Sequence, residues 1–121
     1  MSIRTLQPER LWKEFYEICH IPHPSKKEEK MIAYLQEFGK RHNLETRTDA
    51  AGNVLICKPA TPGYENRKKV ILQSHMDMVC EKNNDTQHNF DTDPIQPYID
   101  GEWVKAKGTT LGADNGIGMA T

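Results

Sequence analysis

Val-Ile-Leu-Gln-Ser-His-Met-Asp, residues 70–77, is the stretch of sequence that decides the predicted fold. Its apolar first half predicts a β-strand over Lys69–Ser74 that is buried on both faces of a sheet. His75 and Asp77 follow directly, and side chains two residues apart in an extended chain point to the same side. Open α/β sheets bind their ligands at the carboxyl ends of their strands. We therefore expect an imidazole and a carboxylate to project together from such an edge.

Helices and short hairpins surround this strand in the predicted α/β fold, which has two helices followed by a mixed sheet. The spacing of Leu11, Phe15 and Ile18 is helical, and Ser25-Lys26-Lys27-Glu28 has the pattern of a capping box at the start of the second helix. The length allows one domain at most. In order, we predict helices over about 8–20 and 26–42, strands over about 44–48, 53–58 and 69–74, a hairpin over about 98–105 that turns at Asp100-Gly101, and a helix from near Asn115.

The bulk composition excludes several classes of function. A formal net charge of −1 favours neither a nucleic-acid partner nor a membrane partner. The three cysteines are odd in number and lack a CxxC pair, which favours a reducing, cytoplasmic compartment over a disulfide framework. The sequence has no long apolar run, so it predicts neither a signal peptide nor a membrane span. The hydrophobic share of 36% includes the 4 tyrosines and omits the 8 glycines. Exchanging the two gives roughly 40%, below the roughly 45–50% usual for globular domains, and we expect the chain to lack part of its core.

Three residues are candidates for chemistry. Besides His75 and Asp77, Asp114 lies in a glycine-bounded turn, Gly112-Ala113-Asp114-Asn115-Gly116, ahead of the last predicted helix. A carboxylate has two oxygens and can bridge two cations, while a carboxylate beside an imidazole can fix its ring. Together they predict a metal-dependent hydrolase. The alternatives are a solvated strand end for the pair and a helix cap for Asp114. The other histidines, which are expected to make local packing or surface contacts, are His20, His23, His42 and His88.

Several segments closely resemble the aminoacyl-histidine dipeptidases, also called Xaa-His or cytosol non-specific dipeptidases, of the co-catalytic zinc exopeptidase superfamily. The segments are His75-Met76-Asp77, Ile21–Ser25, Asn83–Asp85, Asp93–Gly101 and Trp103–Gly116. The resemblance implies that residues 1–121 form the incomplete N-terminal part of the metallopeptidase catalytic domain, without its later strands, helices and lid domain.

The resemblance also implies a role for each candidate residue. His75 would ligate one metal ion, Asp77 would act as the catalytic residue that orients His75, and Asp114 would bridge two divalent ions. The ions are expected to be zinc, with cobalt or manganese as alternatives. It further implies a cis peptide bond between Asp114 and Asn115, and dipeptide hydrolysis by metal-activated water.

The family's glutamate base and its remaining ligands do not occur within the 121 residues. We therefore expect the full-length form to be a dipeptidase and the isolated chain to be inactive. Another exopeptidase or deacylase of the superfamily, or a non-catalytic interaction module, remains an alternative. The apolar strand, if left without its neighbours, should favour homo-oligomers.

Overall fold

A computed structural model describes all 121 residues. The chain divides into two compact units, one formed by Met1–Met31 and Ser74–Thr121 and the other by Ile32–Gln73. None of the helices has the length and apolar character needed to span a bilayer. The elements are, in order, a 3₁₀ turn at Ile3–Thr5, α1 at Glu9–Cys19, α2 at Glu29–Arg41, β1 at Glu45–Thr48, β2 at Val54–Cys57, β3 at Pro97–Asp100, β4 at Trp103–Ala106 and α3 at Ala113–Ala120.

Helix α1 supplies the centre of the core in the first unit. Phe15 is only 1% exposed and packs in one apolar cluster with Ile3, Cys19, Met78 and Ile95. The helical spacing of the buried residues on α1 confirms the predicted helix. Burial raises the pKa of the Cys19 thiol to about 12, so this cysteine stays protonated and serves as a small apolar side chain.

A two-residue turn at Gly101-Glu102 joins β3 to β4 in the same unit. The two strands pair antiparallel, with Ile99 opposite Val104. Both of these side chains pack against the core cluster. The hairpin predicted over residues 98–105 is therefore confirmed.

The second unit contains an antiparallel hairpin of β1 and β2, which confirms the first two predicted strands. Oδ1 of Asp49 accepts hydrogen bonds from the main-chain amides of Ala51 at 3.0 Å and Asn53 at 2.9 Å, which closes the turn. Hydrogen bonds led by the Asn53 side chain lower the pKa of the Asp49 carboxyl. Gly39 of α2 lies so close to β1 that a Cβ at this position would be 1.9 Å from Oγ1 of Thr46.

The predicted third strand at Lys69–Ser74 is wrong, and so is the mixed sheet. The structure contains two separate two-stranded antiparallel sheets, and residues 69–74 pair with neither. Val70, Ile71 and Leu72 are 79%, 85% and 83% exposed. The physical reason is that burial on both faces requires neighbouring strands and covering helices, and the apolar run has neither in these 121 residues, since each sheet ends after two strands.

The predicted capping box at Ser25–Glu28 is also wrong. Helix α2 begins at Glu29, and Lys26 has a left-handed backbone with φ of 71°, which cannot continue into a right-handed first turn. Oε1 of Glu28 accepts a hydrogen bond from the Lys26 amide at 2.8 Å instead of reaching back to Ser25. The serine hydroxyl is directed to residues far along the chain.

Candidate metal centre

Main-chain hydrogen bonds hold the segment after His75 and Asp77 in place. The Met78 amide donates to the His23 carbonyl at 3.0 Å, and the Ser25 amide donates to the Met78 carbonyl at 3.2 Å. These two bonds form a parallel bridge between Pro24 and Met78. The Met78 side chain is 3% exposed in the core, so it anchors the main chain that carries Asp77 directly before it.

His75 and Asp77 lie side by side, although no sheet carries them. Nδ1 of His75 is 3.1 Å from Oδ1 of Asp77 and 3.0 Å from the Asp77 main-chain oxygen. A hydrogen bond on one ring nitrogen decides which nitrogen is left for a ligand. A proton held on Nδ1 by Asp77 leaves Nε2 as a lone-pair donor.

The Asp114 carboxylate lies next to Nε2 of His75. Oδ1 of Asp114 lies 2.9 Å from Nε2 of His75, and the aspartate side chain is 95% exposed. The backbone of Asp114 and Asn115 is not helical and interrupts α3 near its start. The side chain that caps the following turn is Asn115, whose Oδ1 accepts from the Gly118 amide at 3.1 Å. The helix-cap alternative for Asp114 is therefore wrong. The Asp114–Asn115 peptide bond is cis, as expected.

Ser25 makes a contact with the candidate site that the sequence did not reveal. Its hydroxyl donates to Oδ2 of Asp77 at 2.5 Å, which is the carboxylate oxygen that does not face His75. The two residues are 52 positions apart, so no local spacing could indicate the contact. The capping-box pattern also supplied a competing explanation for the serine.

Hydrogen bonds among Ser25, Asp77, His75 and Asp114 shift the pKa values of Asp77 and His75 in directions that favour their charged forms. The Ser25 hydrogen bond is the main cause that lowers the pKa of Asp77, so the carboxyl stays ionised. The Asp114 hydrogen bond is the main cause that raises the pKa of His75. The protonated imidazolium thus has one N–H toward Asp77 and one toward Asp114, and a cation could replace the second proton between Nε2 and Asp114.

The donor set matches part of a zinc centre. Imidazole nitrogen and carboxylate oxygen are ordinary zinc ligands, and both donors are open to solvent here. A zinc site normally has three protein ligands per metal, whereas no group of three or more His, Cys, Asp and Glu side chains in the structure could hold an ion. His75 and Asp114 therefore supply two of the ligands that such a centre needs.

The remaining histidines do not join the candidate centre. His23 is 2% exposed, and its Nδ1 lies 2.5 Å from the Ile21 carbonyl oxygen. Burial is the main cause that lowers the pKa of His23. Nδ1 of His20 lies 2.8 Å from the Tyr16 carbonyl oxygen. The other two contact aromatic rings, His42 in a tilted pair with Phe38 and His88 in an edge contact with Phe90.

Comparison with known proteins gives two matches over nearly the whole chain. The cytosol non-specific dipeptidase of Escherichia coli K12 is 61% identical over 120 residues, covering 99% of this chain and 25% of that protein. The crystal structure of aminoacylhistidine dipeptidase from Vibrio alginolyticus matches with a TM-score of 0.96 at 61% identity, over 99% of this chain and 24% of that one. No protein-family model matches the chain.

A more distant structure shares the fold alone. A tripeptidase from Staphylococcus aureus matches with a TM-score of 0.74 at 22% identity, over 95% of this chain and 30% of that one. The chain thus spans about a quarter of the length of the two relatives that it matches at 61% identity. Over that quarter, the chain is similar in sequence to a cytosol non-specific dipeptidase and similar in both sequence and fold to an aminoacylhistidine dipeptidase.

Proposed function

We propose that this chain supplies part of the active centre of a metal-dependent dipeptidase of the Xaa-His type. The observation that carries the proposal is the convergence of His75, Asp77 and Asp114. They come from two segments separated by 36 residues of sequence, yet Nε2 of His75 and Oδ1 of Asp114 are 2.9 Å apart. The 61% identity to a cytosol non-specific dipeptidase supports the same function.

Each side chain has a distinct proposed task. His75 would bind a divalent cation through Nε2, and Asp114 would bind it through Oδ1, with Oδ2 available to a second cation. Asp77 would hold the His75 ring through Nδ1. Zinc fits the nitrogen and oxygen donors, and cobalt or manganese are alternatives. Such an ion, when bound, polarises a peptide carbonyl and makes water a better nucleophile at neutral pH.

The 121 residues should bind metal weakly and should not hydrolyse dipeptides by themselves. Two donors are fewer than the three that a catalytic zinc normally has. Asp77 faces His75 and Ser25, so it is not available as a third ligand or as a base. We propose that dipeptide hydrolysis belongs to the complete enzyme and takes place in the cytoplasm.

Zinc titration followed by nuclear magnetic resonance tests the site. We expect sub-millimolar zinc to shift the signals of His75 and the Asp114 backbone, because these two donors are exposed and adjacent. His75→Ala should abolish the shifts, and a chelator should reverse them. The matched control is His42→Ala, which removes an imidazole that contacts the Phe38 ring at the end of α2.

Two outcomes of this titration would contradict the proposed site. One is zinc-induced shifts that persist in His75→Ala and vanish in His42→Ala. The other is the absence of any shift at Asp114 when zinc saturates the protein.

The exposed apolar run favours a second candidate function, an interaction module. Val70, Ile71 and Leu72 lie unpaired and exposed, and an unpaired apolar strand is a template for association. We propose that this segment causes the isolated chain to form homo-oligomers. It is compatible with the dipeptidase proposal, because the same segment would be covered in a complete catalytic domain.

A further inference from the structure

We propose that Ser25 is a positioning residue, which holds the Asp77 carboxylate so that His75 offers Nε2 to a metal ion. The inference rests on the proposed metal site and adds a residue to it. The contacts run from the Ser25 hydroxyl through the Asp77 carboxylate and the His75 ring to Asp114. Nδ1 of His75 has its hydrogen bond to the Asp77 main-chain oxygen at 3.0 Å, and Oδ1 of the carboxylate adds a second contact at 3.1 Å.

The two oxygens of Asp77 are divided between two partners. Oδ2 accepts the Ser25 hydroxyl at 2.5 Å, and Oδ1 lies 3.1 Å from Nδ1 of His75. A carboxylate held at one oxygen cannot rotate freely about its terminal bond, so the other oxygen stays directed at the imidazole. Without Ser25, Oδ1 would lose this restraint and the ring proton would be shared more evenly between Nδ1 and Nε2.

The main chain brings Ser25 to this position. The Ser25 amide donates to the Met78 carbonyl at 3.2 Å, and the His23 carbonyl accepts from the Met78 amide at 3.0 Å. The left-handed turn at Lys26 then leads the chain away before α2 begins. The Ser25 hydroxyl also lies 3.2 Å from the Met78 carbonyl, but it has one proton and the Asp77 contact is the shorter.

The first test measures the metal-free chain. At about pH 9, well above the ordinary imidazole pKa of about 6.5, nitrogen-15 spectra report the tautomer of His75. Nε2 also faces a carboxylate, Asp114, at 2.9 Å, so the comparison is made in the Asp114→Ala background. There we expect the Nδ1–H form to dominate, to lose population when Ser25→Ala is added, and to recover with Ser25→Thr, which keeps the hydroxyl. An unchanged tautomer ratio in Ser25→Ala would overturn the inference.

The second test measures zinc affinity in a double-mutant cycle. Loss of a hydrogen-bond partner of a metal-binding histidine weakens metal binding about 10–100-fold, and we expect about tenfold for Ser25→Ala. The same substitution should have no effect in the Asp77→Asn background if Ser25 acts through Asp77. An equal loss in both backgrounds would show a general structural role and overturn the inference.

The two tests separate this inference from the proposed function. If the wild type binds no zinc, the proposed metal site fails, and the tautomer measurement still decides whether Ser25 positions Asp77. If zinc binds through His75 and Asp114 but Ser25→Ala changes nothing, only the role of Ser25 is overturned.

Discussion

Phe15→Ala is expected to destabilise the first unit by about 3–5 kcal/mol, the usual cost of removing a buried aromatic ring. The ring is 1% exposed and lies in the apolar cluster that contains Met78. It also makes an edge contact with Trp12 at 6.0 Å between ring centroids. A loss of this size is a large part of the roughly 5–15 kcal/mol that stabilises a typical domain. Urea denaturation followed by circular dichroism measures it.

The matched control for Phe15→Ala is Val79→Ala in the same unit. Val79 is 69% exposed, so its truncation should change the free energy of unfolding by less than about 0.5 kcal/mol. Similar urea midpoints for the two variants would contradict the described core. Because Met78 packs in the same cluster, Phe15→Ala should also broaden the signals of His75 and Asp77.

Gly112→Ala is expected to destabilise the chain by about 2–5 kcal/mol, through two separate effects. The residue has φ of 77°, a left-handed conformation that costs an alanine about 1–2 kcal/mol. In addition, a Cβ at position 112 would lie 2.9 Å from the Met78 sulfur, and such overpacking costs about 1–3 kcal/mol. Since Gly112 precedes Asp114, the variant should also weaken zinc binding. Thermal unfolding and the zinc titration report the two effects.

Gly101→Ala provides a matched control for the backbone effect. Gly101 has φ of 61°, and no heavy atom lies within 4 Å of the Cβ that an alanine would add. The control should therefore show only the backbone cost of about 1–2 kcal/mol. Equal destabilisation by the two substitutions would show that the close approach of residue 112 to Met78 contributes nothing.

The elements that could be predicted from sequence have local causes. The helical spacing of Phe15, Ile18 and Cys19 is sufficient for α1, because an amphipathic helix needs no information from distant residues. The hairpin around Gly101 likewise depends on a short turn between two apolar segments. The predicted third strand failed because Val70–Leu72 indicate burial without indicating a pairing partner. Strand pairing depends on residues elsewhere, and in this structure none pairs with this segment.

The candidate site shows the same division between local and distant causes. The spacing of His75 and Asp77 was enough to expect that they would lie together, even though the sheet expected to carry them is absent. Their proximity to Asp114 was expected from the metal-ligand character of the three side chains and from the resemblance to the dipeptidases, because no local spacing joins them. The contact of Ser25 with Asp77 joins positions 52 residues apart, and the helix-cap pattern at Ser25–Glu28 favoured a different role for the hydroxyl. The hydrogen bond from Ser25 to Asp77 depends on the pairing of Pro24 with Met78, which no local pattern indicates.

Replacement of the matching quarter of the Escherichia coli cytosol non-specific dipeptidase by these 121 residues tests the central claim most directly. At 61% identity, the chimeric protein should hydrolyse a dipeptide ending in histidine, and a chelator should abolish the activity. His75→Ala and Asp114→Ala should each reduce the turnover number more than about 100-fold, beyond the range typical of residues that only support a metal ligand. His42→Ala should leave the turnover number unchanged. A well-folded, active chimera that retains its activity in both His75→Ala and Asp114→Ala would contradict the account.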